Sequence, residues 1–310
     1  MSYSIAAGPG AGAGRATGPE ASWENGPGGR LRVTPGRVAA LALGVPIALA
    51  MIGWTAFNVV ALLGQASFPV DYSFPVQGGQ VNVQIDGNVT VQQAQLSGGR
   101  AELRGTAHYS LFRSSVTEKG DTVTYNCHSV FGNCSLDGTL QVPERTAVSL
   151  STSGGDLSVG NFTGNVKLNT DGGNVNVSSL TGGLQVSTAG GDVNVGTVND
   201  TGLLRLTTDG GNITGQAVDA PSAIAHTAGG DISLTYTTVP TNLNITTDGG
   251  NVTLVLPHDS TAYQVSATTD GGNVHIDNTV HQDSSAHGHT IYVHTAGGDI
   301  NITEKITGAS

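Results

Sequence analysis

From Val148 onward, apolar and polar residues alternate in short runs of three to five, and each run breaks at a pair of glycines. Before each break the apolar positions are Val148/Leu150, Val166/Leu168, Leu184/Val186, Leu204/Leu206, Leu243/Ile245 and Ile291/Val293. After it they are Leu157/Val159, Val175/Val177, Val193/Val195, Ile232/Leu234, Val252/Leu254, Val274/Ile276 and Ile300/Ile302. Period-two alternation puts these residues on one face of strands and turns Lys167, Asn176, Gln185, Asn194, Arg205 and Ser233 to water. No long segment after Leu63 carries a helical period.

The breaks themselves form a repeat: Thr, one residue, Gly-Gly, Asp or Asn, then apolar–any–apolar. Copies start at Thr152, Thr170, Thr188, Thr208, Thr227, Thr247, Thr269 and Thr295, at intervals of 18, 18, 20, 19, 20, 22 and 26 residues. Repeats of this length predict one coil of a solenoid each. The expected architecture is all-β, a β-solenoid of the single-stranded β-helix kind. Its eight rungs span 147–305 and stack at about 4.8 Å into a segment of roughly 38 Å. An antiparallel two-sheet sandwich is the competing arrangement. The turn positions are Gly154 and Gly155, Gly172 and Gly173, Gly190 and Gly191, Gly210 and Gly211, Gly229 and Gly230, Gly249 and Gly250, Gly271 and Gly272, and Gly297 and Gly298. Gly-Gly is expected to supply a turn with positive φ. The repeated Thr is expected on the inner side of the turn in a hydroxyl ladder. Phe162, Leu180 and Val198 plug a further corner. The array should be weakest where Gly215, Ala223 and Ala225 replace larger residues.

Ahead of the array, residues 76–146 read as a degenerate β cap. QGGQVNV, DGNVTV and SGGRAEL are loose copies of the phrase, and a KGD turn at Lys119–Asp121 marks a hairpin. Cys127 and Cys134 follow, with six residues between them, a spacing that suits a local disulfide better than zinc or redox chemistry. Residues 64–75 read as a linker. Val38–Leu63 is a 26-residue run without charge; about 20 apolar residues cross a bilayer. It is longer than a secretory h-region and is expected to be one uncleaved transmembrane helix. Residues 1–37 are Gly/Pro/Ala-rich and read as a disordered arm. Arg30, Arg32 and Arg37 before the span place that arm in the cytoplasm and 65–310 outside a plasma membrane crossed once.

Four of the 12 basic and two of the 23 acidic residues precede the span, leaving 8 against 21 beyond it, a net of −13. This excludes nucleic acid as a partner, since phosphates need Lys and Arg. Each of the eight phrases holds one Asp, before the glycines or after them: Asp156, Asp171, Asp192, Asp209, Asp231, Asp248, Asp270 and Asp299. The side mostly alternates between successive copies, which keeps like charges from stacking and lets an Asn amide donate to a neighbouring carboxylate. The calcium β-roll phrase has its Asp elsewhere, so no metal or cofactor is expected. His275, His281, His287, His289 and His294 cluster around the longest excursion between copies and read as a solvated loop. Lys167 and Arg205 are the only Lys or Arg between Arg145 and Lys305, too few for a polysaccharide-cleaving site of converging acids beside a base.

An apolar anchor, a cap and rungs of the form Gly-[Asp/Asn]-apolar–any–apolar resemble a bacterial family of unknown function whose members are labelled putative adhesins or β-strand-repeat proteins. Gln141-Val-Pro-Glu leading into Val148-Ser-Leu-Ser-Thr-Ser-Gly-Gly-Asp, and Asn251-Val-Thr-Leu-Val-Leu-Pro before Tyr263, carry the resemblance over residues 75–305. It implies a solenoid-like fold on the cell envelope and supplies no catalytic residues. The expected function is that of a non-enzymatic surface protein, anchored in the membrane and contacting a cell-wall polymer or an envelope protein. An envelope-sensing accessory and a polysaccharide-processing enzyme are the alternatives.

Overall fold

The computed structural model describes residues 51–55, 66–109, 114–120, 122–127 and 135–305 apart from 287. Residues 51–55 form a helical turn. Among the described residues no helix is long and apolar enough to cross a membrane. The expected span 38–63 lies outside the described residues except for that turn, and so do the arm 1–37 and Cys134. Cys127 closes a described strand, but its side chain lies outside the described set.

Seven strands precede the array: β1 (Ala66–Pro75), β2 (Gln80–Gln84), β3 (Val89–Gln93), β4 (Arg100–Tyr109), β5 (Ser114–Lys119), β6 (Thr122–Cys127) and β7 (Ser135–Val142). Each copy of the phrase then joins two strands. The first three coils are β8 (Ala147–Thr152) with β9 (Leu157–Thr163), β10 (Val166–Thr170) with β11 (Val175–Thr181), and β12 (Leu184–Thr188) with β13 (Val193–Asn199). The next three are β14 (Leu203–Thr208) with β15 (Ile213–Asp219), β16 (Ser222–Thr227) with β17 (Ile232–Tyr236), and β18 (Asn242–Thr247) with β19 (Val252–Leu256). The last two are β20 (Gln264–Thr269) with β21 (Val274–Ile276), and β22 (Thr290–Thr295) with β23 (Ile300–Glu304).

Two sheets result. One runs β1-β4-β7-β3-β9-β11-β13-β15-β17-β19-β23-β21, the other β20-β22-β18-β16-β14-β12-β10-β8-β2-β6-β5. Pairing from β2 and β3 through the array is parallel and in register, as in Leu150↔Leu168↔Val186. This rules out the antiparallel sandwich. The alternating apolar residues of both sheets meet in one continuous core along the stack. The plugging column Phe162–Leu180–Val198–Val218–Tyr236 is also paired from coil to coil and buried, with a register shift between Gly215 and Val218 ahead of its last pair.

Several expectations need correction. Residues 66–75 are not a linker but strand β1, paired antiparallel along its full length with β4. An edge strand accommodates Pro69 and Pro75 because the missing N–H groups face outward. Of the three loose phrases in the cap, the first two build a true coil from β2 and β3. The third begins β4, which runs antiparallel between β1 and β7 and ends the stack.

The glycine pairs do not adopt positive φ. Glycines of positive φ occur instead at the opposite corner, at Gly164 and Gly182 (both φ 138°), and at Gly288 (φ 102°) in the long excursion before β22. The second glycine of each pair is required by its neighbour in the stack. A Cβ built on Gly155, Gly173, Gly191, Gly211, Gly230, Gly250, Gly272 or Gly298 would run into the backbone carbonyl of the equivalent glycine next to it; for Gly155 that neighbour is Gly87. Around the first glycine there is more room: a Cβ on Gly190 would sit 3.7 Å from the Gly172 Cα, and the tightest case, Gly271, would be 3.2 Å from the Ala296 carbonyl oxygen.

The threonines do not form a hydroxyl-to-hydroxyl ladder either. Each Oγ1 accepts the N–H of its own second glycine and donates to the carbonyl of the second glycine one coil away. Thr188 accepts from Gly191 N at 3.2 Å and donates to Gly173 O at 2.9 Å. The same pair of bonds recurs at all eight threonines.

The coils do not stack in sequence order. The eighth copy lies between the sixth and the seventh: β22 pairs with β18 on one side and β20 on the other, and β23 with β19 and β21. Thr295 accordingly donates to Gly250, and Thr269 to Gly298. At the thin part of the core, the space a side chain on Gly215 would take is filled by Val218 and Leu234. Tyr236 packs fully buried one coil along.

The glycine geometry predicts an asymmetry within each pair. Gly191→Ala should destabilise by about 3 kcal/mol or more, since backbone cannot yield as a side chain can. Gly190→Ala should stay within about 1 kcal/mol of the parent. Urea denaturation of the two variants side by side measures this; equal losses would contradict it.

Candidate functional site

The two corner columns flanking the glycines are built from register. After the glycines, the spatial order is Asn88, Asp156, Asn174, Asp192, Asn212, Asp231, Asn251, Asp299, Asn273. Each Oδ1 accepts the backbone N–H of the next member at 2.6–2.9 Å. Asn212, Asn251 and Asn273 also donate their amides back to Asp192, Asp231 and Asp299 at 3.2–3.3 Å. Before the glycines, the order is Asp86, Ser153, Asp171, Ala189, Asp209, Ala228, Asp248, Ala296, Asp270. In both columns the alternation is complete. The one irregularity in the sequence, consecutive DGGN phrases at the sixth and seventh copies, disappears because the eighth copy separates them. Within a column the carboxylates stand two coils apart, about 9.6 Å. Among the described residues no three His, Cys, Asp or Glu side chains are placed to hold a metal ion.

The histidines that cluster in the sequence take separate side-chain partners. His289 Nδ1 contacts the Pro240 carbonyl oxygen at 2.8 Å and its ring meets Tyr263 edge-on. His294 pairs with Thr268, and His258 with the buried Glu304 at 2.7 Å. His287 lies outside the described residues. Tyr236 and Tyr263 keep neutral hydroxyls: burial pushes both up, Tyr263 to about 12 with help from Asp259 and Glu304.

The outward face of the β8–β14 sheet holds what sequence reading did not assemble. Lys167 and Arg205 stand in one column with Gln185 between them, and Ser149 and Asn82 continue it. Neither basic side chain forms an ion pair within the described residues. Beside them runs an open groove of about 570 Å3 lined by Gln80, Asn82, Ser149, Asn165, Lys167 and Gln185, with exposed Leu203 at its edge. The signal was present in the intervals of 18 and 20 residues, which bring residues 167, 185 and 205 to equivalent positions. A second groove of about 390 Å3 is lined by Asp86, Ser153, Asp171 and their neighbours, and there Ser153 donates to Asp86 at 2.6 Å.

Corner alternation makes a checkable claim. Asn174→Asp sets three carboxylates in consecutive coils, Asp156, the new one and Asp192. It should cost about 1 kcal/mol at neutral pH. Repulsion raises the pKa of the folded-state carboxylate, so the deficit is present at neutral pH and disappears as pH falls below about 4. Melting temperatures of parent and variant across that range measure it; a deficit unchanged by pH would contradict the electrostatic account.

The chain is similar to a crystal structure of a putative adhesin from Bacteroides fragilis, with 17% identity, TM-score 0.39, and coverage of 76% of this chain and 97% of that one. It is similar to a putative adhesin from Parabacteroides distasonis, with 14% identity, TM-score 0.49, and coverage of 78% and 98%. A putative adhesin from Parabacteroides merdae shows 12% identity, TM-score 0.42, and coverage of 77% and 96%. No curated protein matches the chain. The model of the Toastrack DUF4097 family matches residues 77–303, the first coil through the last strand, and the chain belongs to that family.

Proposed function

We propose that this is a non-enzymatic cell-surface protein, held by the apolar segment 38–63, whose solenoid grips a cell-wall polymer on the outward face of the β8–β14 sheet. The observation that carries this is the Lys167–Gln185–Arg205 column beside the groove. In a segment with net charge −13 beyond the anchor, the two Lys and Arg residues between Arg145 and Lys305 stand on one face, two coils apart and without an ion pair among the described residues. A flat, in-register sheet offers donors and acceptors at a regular spacing of about 4.8 Å per coil. That suits an extended polymer bearing carboxylate or phosphate groups, which Lys and Arg bind by charge-assisted hydrogen bonds.

Sedimentation of the full-length chain, in mild detergent, with purified cell-wall material tests the proposal. The chain should sediment with the wall, and binding should weaken as salt rises. The double variant Lys167→Ala/Arg205→Ala should lose affinity by more than about tenfold, the effect of removing two charged hydrogen-bonding groups. Equal binding by the variant, or no binding by the parent, would overturn it.

A further inference from the structure

The two ends of the stack differ in how they stop. At one end the first coil, β2 and β3, is covered by β6 and β7, and these by β5, β4 and β1. The outermost strands there are antiparallel to their neighbours and carry Pro69, Pro75, Glu118 and Lys119. Prolines and charges are the usual means of keeping an edge strand from pairing further.

At the other end nothing among the described residues pairs with β20 or β21 beyond β22 and β23. The seventh coil therefore shows the apolar face that other coils bury. Val274 is 41% exposed where its stacked equivalent Ile300 is 1%. Val265, Ala267 and Ile276 are only partly buried, whereas Ile291, Val293 and Ile302 are fully buried. The corner is unfinished in the same sense. The carbonyls of Gly87, Gly155, Gly173, Gly191, Gly211, Gly230, Gly250 and Gly298 each accept a threonine hydroxyl from the adjoining coil, and that of Gly272 accepts none among the described residues. Asn273, the last rung of the side-chain ladder, receives no backbone donor on its Oδ1 there. Neither β20 nor β21 carries a proline, lysine or acidic residue.

We propose that this open end pairs with the same end of a second copy of the chain, forming a twofold dimer through the β20 and β21 edges. The blocked first coil decides the occupant. Its two outer strands run in opposite directions, β1 with the array strands and β5 against them, and both carry prolines or charges, so head-to-tail stacking meets no matching pair of parallel edges. A twofold partner presents the complementary set: two free edges antiparallel to its own, and Val265, Ala267, Val274 and Ile276 to cover the identical four. Such a contact is isologous and stops at two. A single coil is a small footprint, at the weak end of specific interfaces, below about 1,200 Å2 in total. Asp270 and Asp277 flank the edges of both copies, so the approaching tips repel and added salt favours the dimer. Polymer binding by Lys167 and Arg205 has the opposite salt dependence and lies on a different surface, so either proposal can fail alone.

The test is sedimentation velocity of the full-length chain in nonionic detergent, at concentrations up to about 1 mM and at two salt levels. A monomer–dimer equilibrium that stops at two and shifts towards dimer at high salt is expected. Val274→Lys and Ala267→Lys should each weaken it at least about tenfold, since each buries an unpaired like charge at the contact. Phe68→Lys, at the opposite end, should leave it unchanged. Circular dichroism melting establishes that each variant is folded. Independently of any variant, amide protection in residues 264–276 of the parent should rise with concentration while that of β1 and β5 does not. Monomer throughout, growth beyond two, insensitivity to both lysines, or protection changing at β1 and β5 instead would overturn the proposal.

Discussion

Everything in this stack depends on how closely two glycine backbones approach at each corner. The buried threonine hydroxyl holds its own turn shut and ties it to the next coil with the same oxygen. That bond reaches only because the second glycine has no Cβ, and the missing Cβ is tolerated only because the neighbour's carbonyl fills the space. Buried polar groups must be paired, so one oxygen that both accepts and donates solves the corner in full. With the corner fixed, the spacing of coils, the register of both sheets and the alternation of carboxylates follow together.

Strand positions, the two-strand coil and the inward threonines were legible because they are properties of a single coil: alternation, turn composition and side-chain polarity. What was missed depends on contacts between coils. Gly-Gly was read locally, as a source of positive φ, and the structure uses its second member for the approach of a neighbour in the next coil, from 18 residues away in the chain (Gly173 and Gly155) to 68 (Gly155 and Gly87). Residues 66–75 looked like a linker because Pro69 and Pro75 discourage strands, a penalty that vanishes at an outer edge. The displaced eighth coil was written in the sequence as consecutive DGGN phrases. It becomes readable only if alternation is taken as a rule of the stack rather than a tendency along the chain.

The candidate binding face was half legible. Lys167 and Arg205 were noticed for their scarcity, as evidence against a cleaving enzyme. Their placement in one column beside a groove needs the register Lys167↔Gln185↔Arg205, which strand pairing supplies. Charge is thereby sorted on the solenoid by geometry. Carboxylates occupy the corner, where alternation spaces them, and the sparse cations occupy a sheet face, where hydrogen-bonding neighbours surround them.

The inserted coil changes how such a stack comes apart. A solenoid assembled in sequence order frays from its tip like a zipper, one coil at a time. Here residues 290–304 are gripped on both sides and cannot peel away unless β20 and β21 are displaced or the sixth coil is opened. The segment made later in synthesis thus acts as a wedge under the one made before it. The seventh coil settles only once the eighth is in place, so the earlier segment waits for the later one, and dismantling begins at β20 and β21, inside the chain, rather than at residues 290–304.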